Sequence, residues 1–205
     1  MLGLAGREDP RVLFVPTASG DHPDAVVRFY RSVTPLGCRP AHLGLFRREA
    51  GDLDELLARQ DVIVVGGGST ANMLAVWRVH GLDGALRRAW SRGTVLAGVS
   101  AGAVCWFAGG VSDSWGPPPR PLTGGLGLLE GSLCPHHDSG PGRRDAFAGA
   151  VASGALPPGW AVDDGAALVF RGTAPAEAVS ERAGAGVVRV EPDGQAPVPV
   201  RVLAG

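Results

Sequence analysis

Short β-branched runs and longer stretches at helical spacing alternate along the first half of the chain. Arg11–Val15 (RVLFV) is an apolar run that stops at Pro16, which predicts a buried strand. From Pro23 to Leu36, Val26, Val27, Phe29, Tyr30 and Val33 recur at helical spacing. Ala41–Phe46 reads as a second strand and Asp52–Gln60 (DLDELLARQ) as a short helix. Asp61–Val65 (DVIVV) is the clearest buried strand, and it runs into Gly66-Gly67-Gly68 and then Ser69-Thr70, a natural helix start. Helical pattern fills Ala71–His80 and Asp83–Arg92, and Thr94–Val99 (TVLAGV) is a further strand.

This β-α-β-α-β-α-β order predicts an α/β fold, a mostly parallel sheet flanked by helices, with right-handed crossovers. Ligands of such sheets sit beyond the carboxyl ends of the strands, and the segments after Val65 and Val99 both fall at that edge. Residues 109–142 are rich in Gly, Pro and Ser and carry little periodicity. One more helix is expected over Arg143–Ser153. Strand-like runs at Ala166–Phe170, Ala176–Ser180, Gly186–Val190 and Val198–Leu203 predict C-terminal β-hairpins at the end of the sheet. No repeat or linker divides the chain, so residues 1–205 read as a single domain.

Composition narrows the function. With 205 residues and 45% hydrophobic content the chain has enough material for one full core. A net charge of −1 without a basic patch argues against a nucleic-acid partner. No apolar run approaches the ~20 residues that span a bilayer. The N-terminus has no basic flank before an apolar stretch, and the 3 cysteines are odd in number and widely spaced. Free thiols in a cytoplasmic protein are therefore expected.

The chemistry concentrates at Gly98-Val99-Ser100-Ala101-Gly102, a G-x-S-x-G segment between a predicted strand and a run of small residues. A tight strand-to-helix turn needs small flanking residues, and it lifts the serine hydroxyl clear of the sheet. The following amide, that of Ala101, points where an oxyanion would form, and a helix start adds partial positive charge there. A serine nucleophile needs a base, and the base needs an acid to orient it. His42 and His80 fall in a strand and at a helix end, and His22 follows the first strand near the expected site edge. His136 and His137 lie in Cys-Pro-His-His-Asp, 36 and 37 positions after Ser100, and Asp113 lies between. The order Ser100, Asp113, His136 is nucleophile, acid, base, with His137 the neighbouring alternative for the base.

Taken together these segments resemble the peptidase E family of serine peptidases, the aspartyl dipeptidases and cyanophycinase. Gly66-Gly67-Gly68-Ser69-Thr70 looks like that family's Gly-Gly-Gly-Asn-Thr. Gly98–Ala103 looks like its Gly-x-Ser-Ala-Gly-Ala, Ser112-Asp113 matches its acid position, and Pro135-His136 matches the Pro-His of its base. Leu156–Gly159 and Asp163-Asp164-Gly165 also have counterparts. The resemblance implies a class I glutamine amidotransferase-like fold and a Ser100–His136–Asp113 triad. It also implies an oxyanion hole from the Ala101 amide and that of Gly67 or Gly68. It implies an exopeptidase for short peptides, aspartyl dipeptidase-like, with no metal or organic cofactor and a possible homodimer. A carboxy-terminal exopeptidase or amidase on the same triad, and a non-catalytic binding protein on the same fold, are the alternatives.

Competing roles are weaker. Gly66–Gly68 before a helix can cradle a phosphate, but no Gly-Lys-Ser/Thr follows and G-x-G-x-x-G is absent. Cys134, His136, His137 and Asp138 lack a second ligand cluster for a metal. Asp163 and Asp164 read as a turn, with a substrate-facing role for Asp164 the alternative. Arg143 and Arg144 read as a solvated helix face, with a substrate carboxylate as the alternative ligand.

Overall fold

The computed structural model describes residues 2–48 and 51–203, which fall into two compact units divided between Ala103 and Val104. The first unit holds the parallel α/β pattern. Its strands are β1 (Arg11–Val15), β2 (Arg39–His42), β3 (Val62–Val65) and β4 (Val95–Gly98), in the order β2-β1-β3-β4. Every ladder is parallel, as shown by Val12↔Val62 between β1 and β3 and Val65↔Gly98 between β3 and β4.

The helices begin where the capping residues stand. Helix α1 (Pro23–Val33) has Pro at its first position and the His22 ring accepting from the Asp24 amide. Helix α2 (Leu53–Ala58) is capped by Asp52, and α3 (Thr70–His80) by Ser69. Gly81 ends α3 in the left-handed region and opens α4 (Leu82–Ser91). Phe29 and Val33 of α1 close on Val12, Phe14 and Val62, with the Phe14 and Phe29 rings stacked at 4.7 Å.

The second strand begins and ends earlier than its apolar pattern suggests, at Arg39–His42 instead of Ala41–Phe46. The cause is Asp21, in the loop after β1. Its Oδ2 accepts from the amides of Leu45 at 2.5 Å and Phe46 at 2.9 Å, which draws that segment out of the ladder.

The second unit carries two sheets. Six strands run in the order β12-β11-β8-β7-β5-β6: β5 (Gly109–Ser112), β6 (Arg120–Thr123), β7 (Ser132–Pro135), β8 (Gly159–Val162), β11 (Val187–Glu191) and β12 (Gly194–Val198). Strands β5, β7 and β8 are mutually parallel and the outer pairings are antiparallel. A three-stranded sheet holds β9 (Ala166–Arg171), β10 (Ala174–Ser180) and β13 (Val200–Val202) in the order β13-β10-β9. The C-terminal hairpins β9–β10 and β11–β12 are therefore present, and they belong to the sheets of this unit.

Three strands fall in the segment expected to be irregular. Each is four residues long and contains Gly or Pro, so no period of two can show. Pro121 is tolerated because β6 is an edge strand. Helix α6 (Arg143–Ala152) packs Phe147, Ala150 and Val151 against Val111, Cys134, Ala161 and Val190.

Phe147 is 1% exposed. Phe147→Ala is expected to cost about 3–5 kcal/mol in denaturant unfolding, while Trp115→Ala, at an exposed side chain, stays within about 0.5 kcal/mol.

Candidate active-site residues

In the first unit β4 ends at Gly98, and two residues later Ser100 takes φ 55, the left-handed region. A non-glycine residue pays about 1–2 kcal/mol there. The surroundings enforce the geometry. A Cβ on Gly98 would stand 1.9 Å from the Gly102 carbonyl oxygen, and one on Gly102 would stand 2.2 Å from that of Val65. The turn can therefore close this tightly only with glycine on both sides. The Val99 amide donates to Val65 O at 3.1 Å, and the Gly102 and Ala103 amides donate to Val99 O and Ser100 O. Helix α5 (Ala101–Val104) follows and is a single turn, so the partial charge of a long helix is not available to the serine.

The glycine run after β3 lies against Ser100. A Cβ on Gly67 would meet Ser100 Cβ at 3.2 Å and Oγ at 3.8 Å. The amides flanking that run are occupied: Gly66 donates to Val15 O and Ser69 to Ala18 O. Those of Gly67, Gly68 and Ala101 are bonded to no other residue among the described ones. The structure thus brings Ser100, Ala101 and the Gly67 backbone together.

In the second unit His136 follows the last residue of β7, also at positive φ, 57. Its Nδ1 lies 2.6 Å from Asp164 Oδ1. The Asp164 carboxyl is held below the usual carboxylate range, first by a hydrogen bond from Ser139 and then by His136. An ionised carboxylate only accepts, so the proton is assigned to Nδ1 and the lone pair to Nε2, the arrangement of a general base.

Asp113 does not meet His136, which corrects the expected triad. Its Oδ2 accepts from Arg143 Nη2 at 2.8 Å, while Arg143 Nη1 donates to Val111 O at 3.3 Å. The Arg143 side chain is buried and Asp113 supplies its counter-charge. The reason lies in the ladders. Pairing of β7 with β5 covers only Gly109↔Ser132 and Gly110↔Leu133, whereas pairing with β8 continues to Pro135↔Val162. The residues just beyond β8, Asp163 and Asp164, therefore stay beside those just beyond β7. Nothing in the local sequence around Asp164 marks it as the partner. The missing signal is the strand pairing, because Gly159–Val162 is too short to show a period.

His137 is interior. Its ring stands 3.4 Å from Asp163, and burial, with Arg144 nearby, pushes its pKa down. That environment suits a packing pair better than a solvent-facing base. Arg144 is exposed on the helix and donates from Nε to the His137 carbonyl at 3.0 Å, whereas Arg143 is buried against Asp113 and is not part of a solvated face. No group of three His, Cys, Asp or Glu among the described residues is arranged to hold a metal. Burial pushes the Cys134 thiol up to about 12, leaving it inert. His22 caps α1, and His42 pairs with the Tyr30 hydroxyl at 3.1 Å.

The profile of peptidase family S51 matches residues 1–177. The uncharacterized peptidase YgaJ of Bacillus subtilis (strain 168) is 45% identical over 209 residues, covering 99% of this chain and 89% of the relative. Among solved structures, a peptidase from an acI-B1 Actinobacterium superposes with TM-score 0.65 at 20% identity, over 97% of this chain and 84% of that one. A candidate peptidase E protein of Listeria monocytogenes EGD-e gives 0.56 at 17%, over 94% and 87%. At these identities the two structures speak to the fold alone. No helix among the described residues is long and apolar enough to cross a membrane.

If Ser100 is held in strain, Ser100→Gly should not carry the ordinary loss of about 0.5–1 kcal/mol for an introduced glycine. Equal or greater denaturant stability than wild type is the expected result, and a loss beyond about 1 kcal/mol would contradict the strain.

Proposed function

The chain belongs to peptidase family S51, and on that premise we propose that it is a serine exopeptidase of short peptides, acting through an acyl-enzyme on Ser100. The family makes it a peptidase, and hence a hydrolase. The observation that supports serine chemistry is the left-handed Ser100 between β4 and α5, with the Gly67 backbone against its side chain. Such a turn presents a hydroxyl and a following amide to the same reacting carbonyl.

In the proposed mechanism His136 Nε2 takes the Ser100 proton as Oγ attacks the scissile carbonyl carbon. The tetrahedral oxyanion is stabilised by the amides of Ala101 and of Gly67 or Gly68. The histidine passes the proton to the leaving amine, the C–N bond breaks, and an ester to Ser100 remains. A water gives a proton to His136 and attacks the ester, and His136 returns that proton to Ser100 Oγ as the C–O bond breaks, freeing the acid and the serine. Asp164, not Asp113, orients the imidazole and stabilises its charged form. Joining the serine of one unit to the histidine of the other is part of this proposal and rests on the chemistry each needs. Free dipeptides with N-terminal aspartate are the first substrate class, by resemblance to the aspartyl dipeptidases.

The test is a panel of dipeptides and tripeptides, free and blocked at each end, with wild type and Ser100→Ala in parallel. Cleavage of free Asp-Xaa, reduced about 10⁴–10⁶-fold in the variant, is the expected outcome. Cleavage that requires only a free C-terminus, or cleavage of simple amides, would keep the nucleophile and overturn the aspartyl specificity. Turnover undiminished in Ser100→Ala would overturn the serine mechanism. No turnover of any member would favour a binding role on the same fold.

A further inference from the structure

The carboxylate beside His136 is held by more than the histidine. Its Oδ1 accepts from His136 Nδ1, and its Oδ2 accepts from Ser139 Oγ at 2.5 Å. The backbone of the same residue is pinned as well. The Asp164 amide donates to Asp138 Oδ1 at 2.8 Å, and Arg182 Nη2 donates to the Asp164 carbonyl at 2.9 Å and to Asp138 Oδ2 at 2.5 Å. An aspartate whose side chain is 49% exposed would ordinarily turn freely in water, but this one has a partner on each oxygen.

Ser139 reaches that oxygen because of the turn that shapes His136. The Ser139 and Gly140 amides both donate to His136 O, at 3.3 and 2.8 Å, and the His137 amide donates to Val162 O at 3.1 Å. Four consecutive residues, His136 to Ser139, thus carry the imidazole, the anchor to β8, the clamp on the Asp164 backbone and the clamp on its carboxylate. A hydroxyl facing an ionised carboxylate must donate. The plane of the carboxylate is then set by two donors, and one oxygen stays aimed at Nδ1.

We propose that Ser139 is a positioning residue of this hydrolase, fixing the Asp164 carboxylate so that His136 keeps its proton on Nδ1 and its lone pair on Nε2. The inference rests on the reading of Ser100, His136 and Asp164 as the catalytic set. Ser139 touches no reacting atom in that reading, so its loss acts on kcat and spares KM. Without its hydrogen bond the carboxylate is free to turn, and Nδ1 loses its fixed acceptor. The charged groups facing Asp164 are His136 and Asp138 on the turn after β7 and Arg182 after β10, and none is changed by substitution at 139.

Ser139→Thr and Ser139→Val, in the full chain, differ by little more than the hydroxyl. Each is compared with wild type, Ser139→Ala and Asp164→Asn for kcat and KM against pH on the peptide that wild type cleaves. The rate of phosphonylation of Ser100 by a fluorophosphonate, read against pH, provides a substrate-independent measure, and thermal melting confirms folding. Ser139→Val and Ser139→Ala should lose about tenfold in kcat or labelling rate, with KM within about twofold, as expected for a group acting through the general base. Ser139→Thr should recover most of the loss. Folded Val and Ala variants with wild-type rate and profile, or a Thr variant no better than Val, would overturn the role of Ser139. If Asp164→Asn is then still impaired, the catalytic set stands and only Ser139 is removed from it. An unimpaired Asp164→Asn would overturn both.

Discussion

Ser100 sits in a backbone conformation that an L-residue avoids, and much of the first unit is arranged to keep it there. The parallel ladder from β3 to β4 ends level at Val65↔Gly98, so both strands release their chains at one edge. Gly98 and Gly102 approach carbonyl oxygens too closely for any side chain, and Gly67 lies against the serine itself. Each contact is local, but together they leave the turn no relaxed alternative. A strained side chain just beyond a short strand is the kind of place where a fold gives up stability for function.

The second unit repeats the device at His136. His136 also takes a positive φ immediately after a buried strand, and its partner comes from the next parallel strand. Here the ordering force is hydrogen bonding. Asp164 is gripped through its carboxylate, amide and carbonyl, and burial sets aside the neighbouring His137–Asp163 pair as packing. Two adjacent His–Asp pairs thus face different surroundings: one reaches solvent, and the other lies in the interior with its histidine pKa pushed down.

Much of this was legible in the residues, for identifiable reasons. Strands β1, β3 and β4 are apolar runs, and α2 and α3 begin at the caps Asp52 and Ser69. The elbow at Ser100 declares itself because its glycines are steric requirements. Strands β5 to β8 did not, since Gly109, Gly110, Pro121 and Pro135 interrupt any period in four-residue segments. Chain order favours Asp113 as the partner of His136, whereas the carboxylate that meets the imidazole is decided by how far β7 pairs with each neighbour. Asp113 instead neutralises Arg143, whose burial no local pattern announces.

In the proposed mechanism Ser100 is a nucleophile activated by the pair His136–Asp164. Its most direct test is labelling of the intact protein with a fluorophosphonate, with the adduct located by peptide mass spectrometry and its rate compared across variants. The predicted result is one adduct per chain, on Ser100, formed much more slowly in His136→Ala and Asp164→Asn and at an undiminished rate in folded Asp113→Asn. No adduct on Ser100, or a rate that falls with Asp113 and not with Asp164, would contradict it.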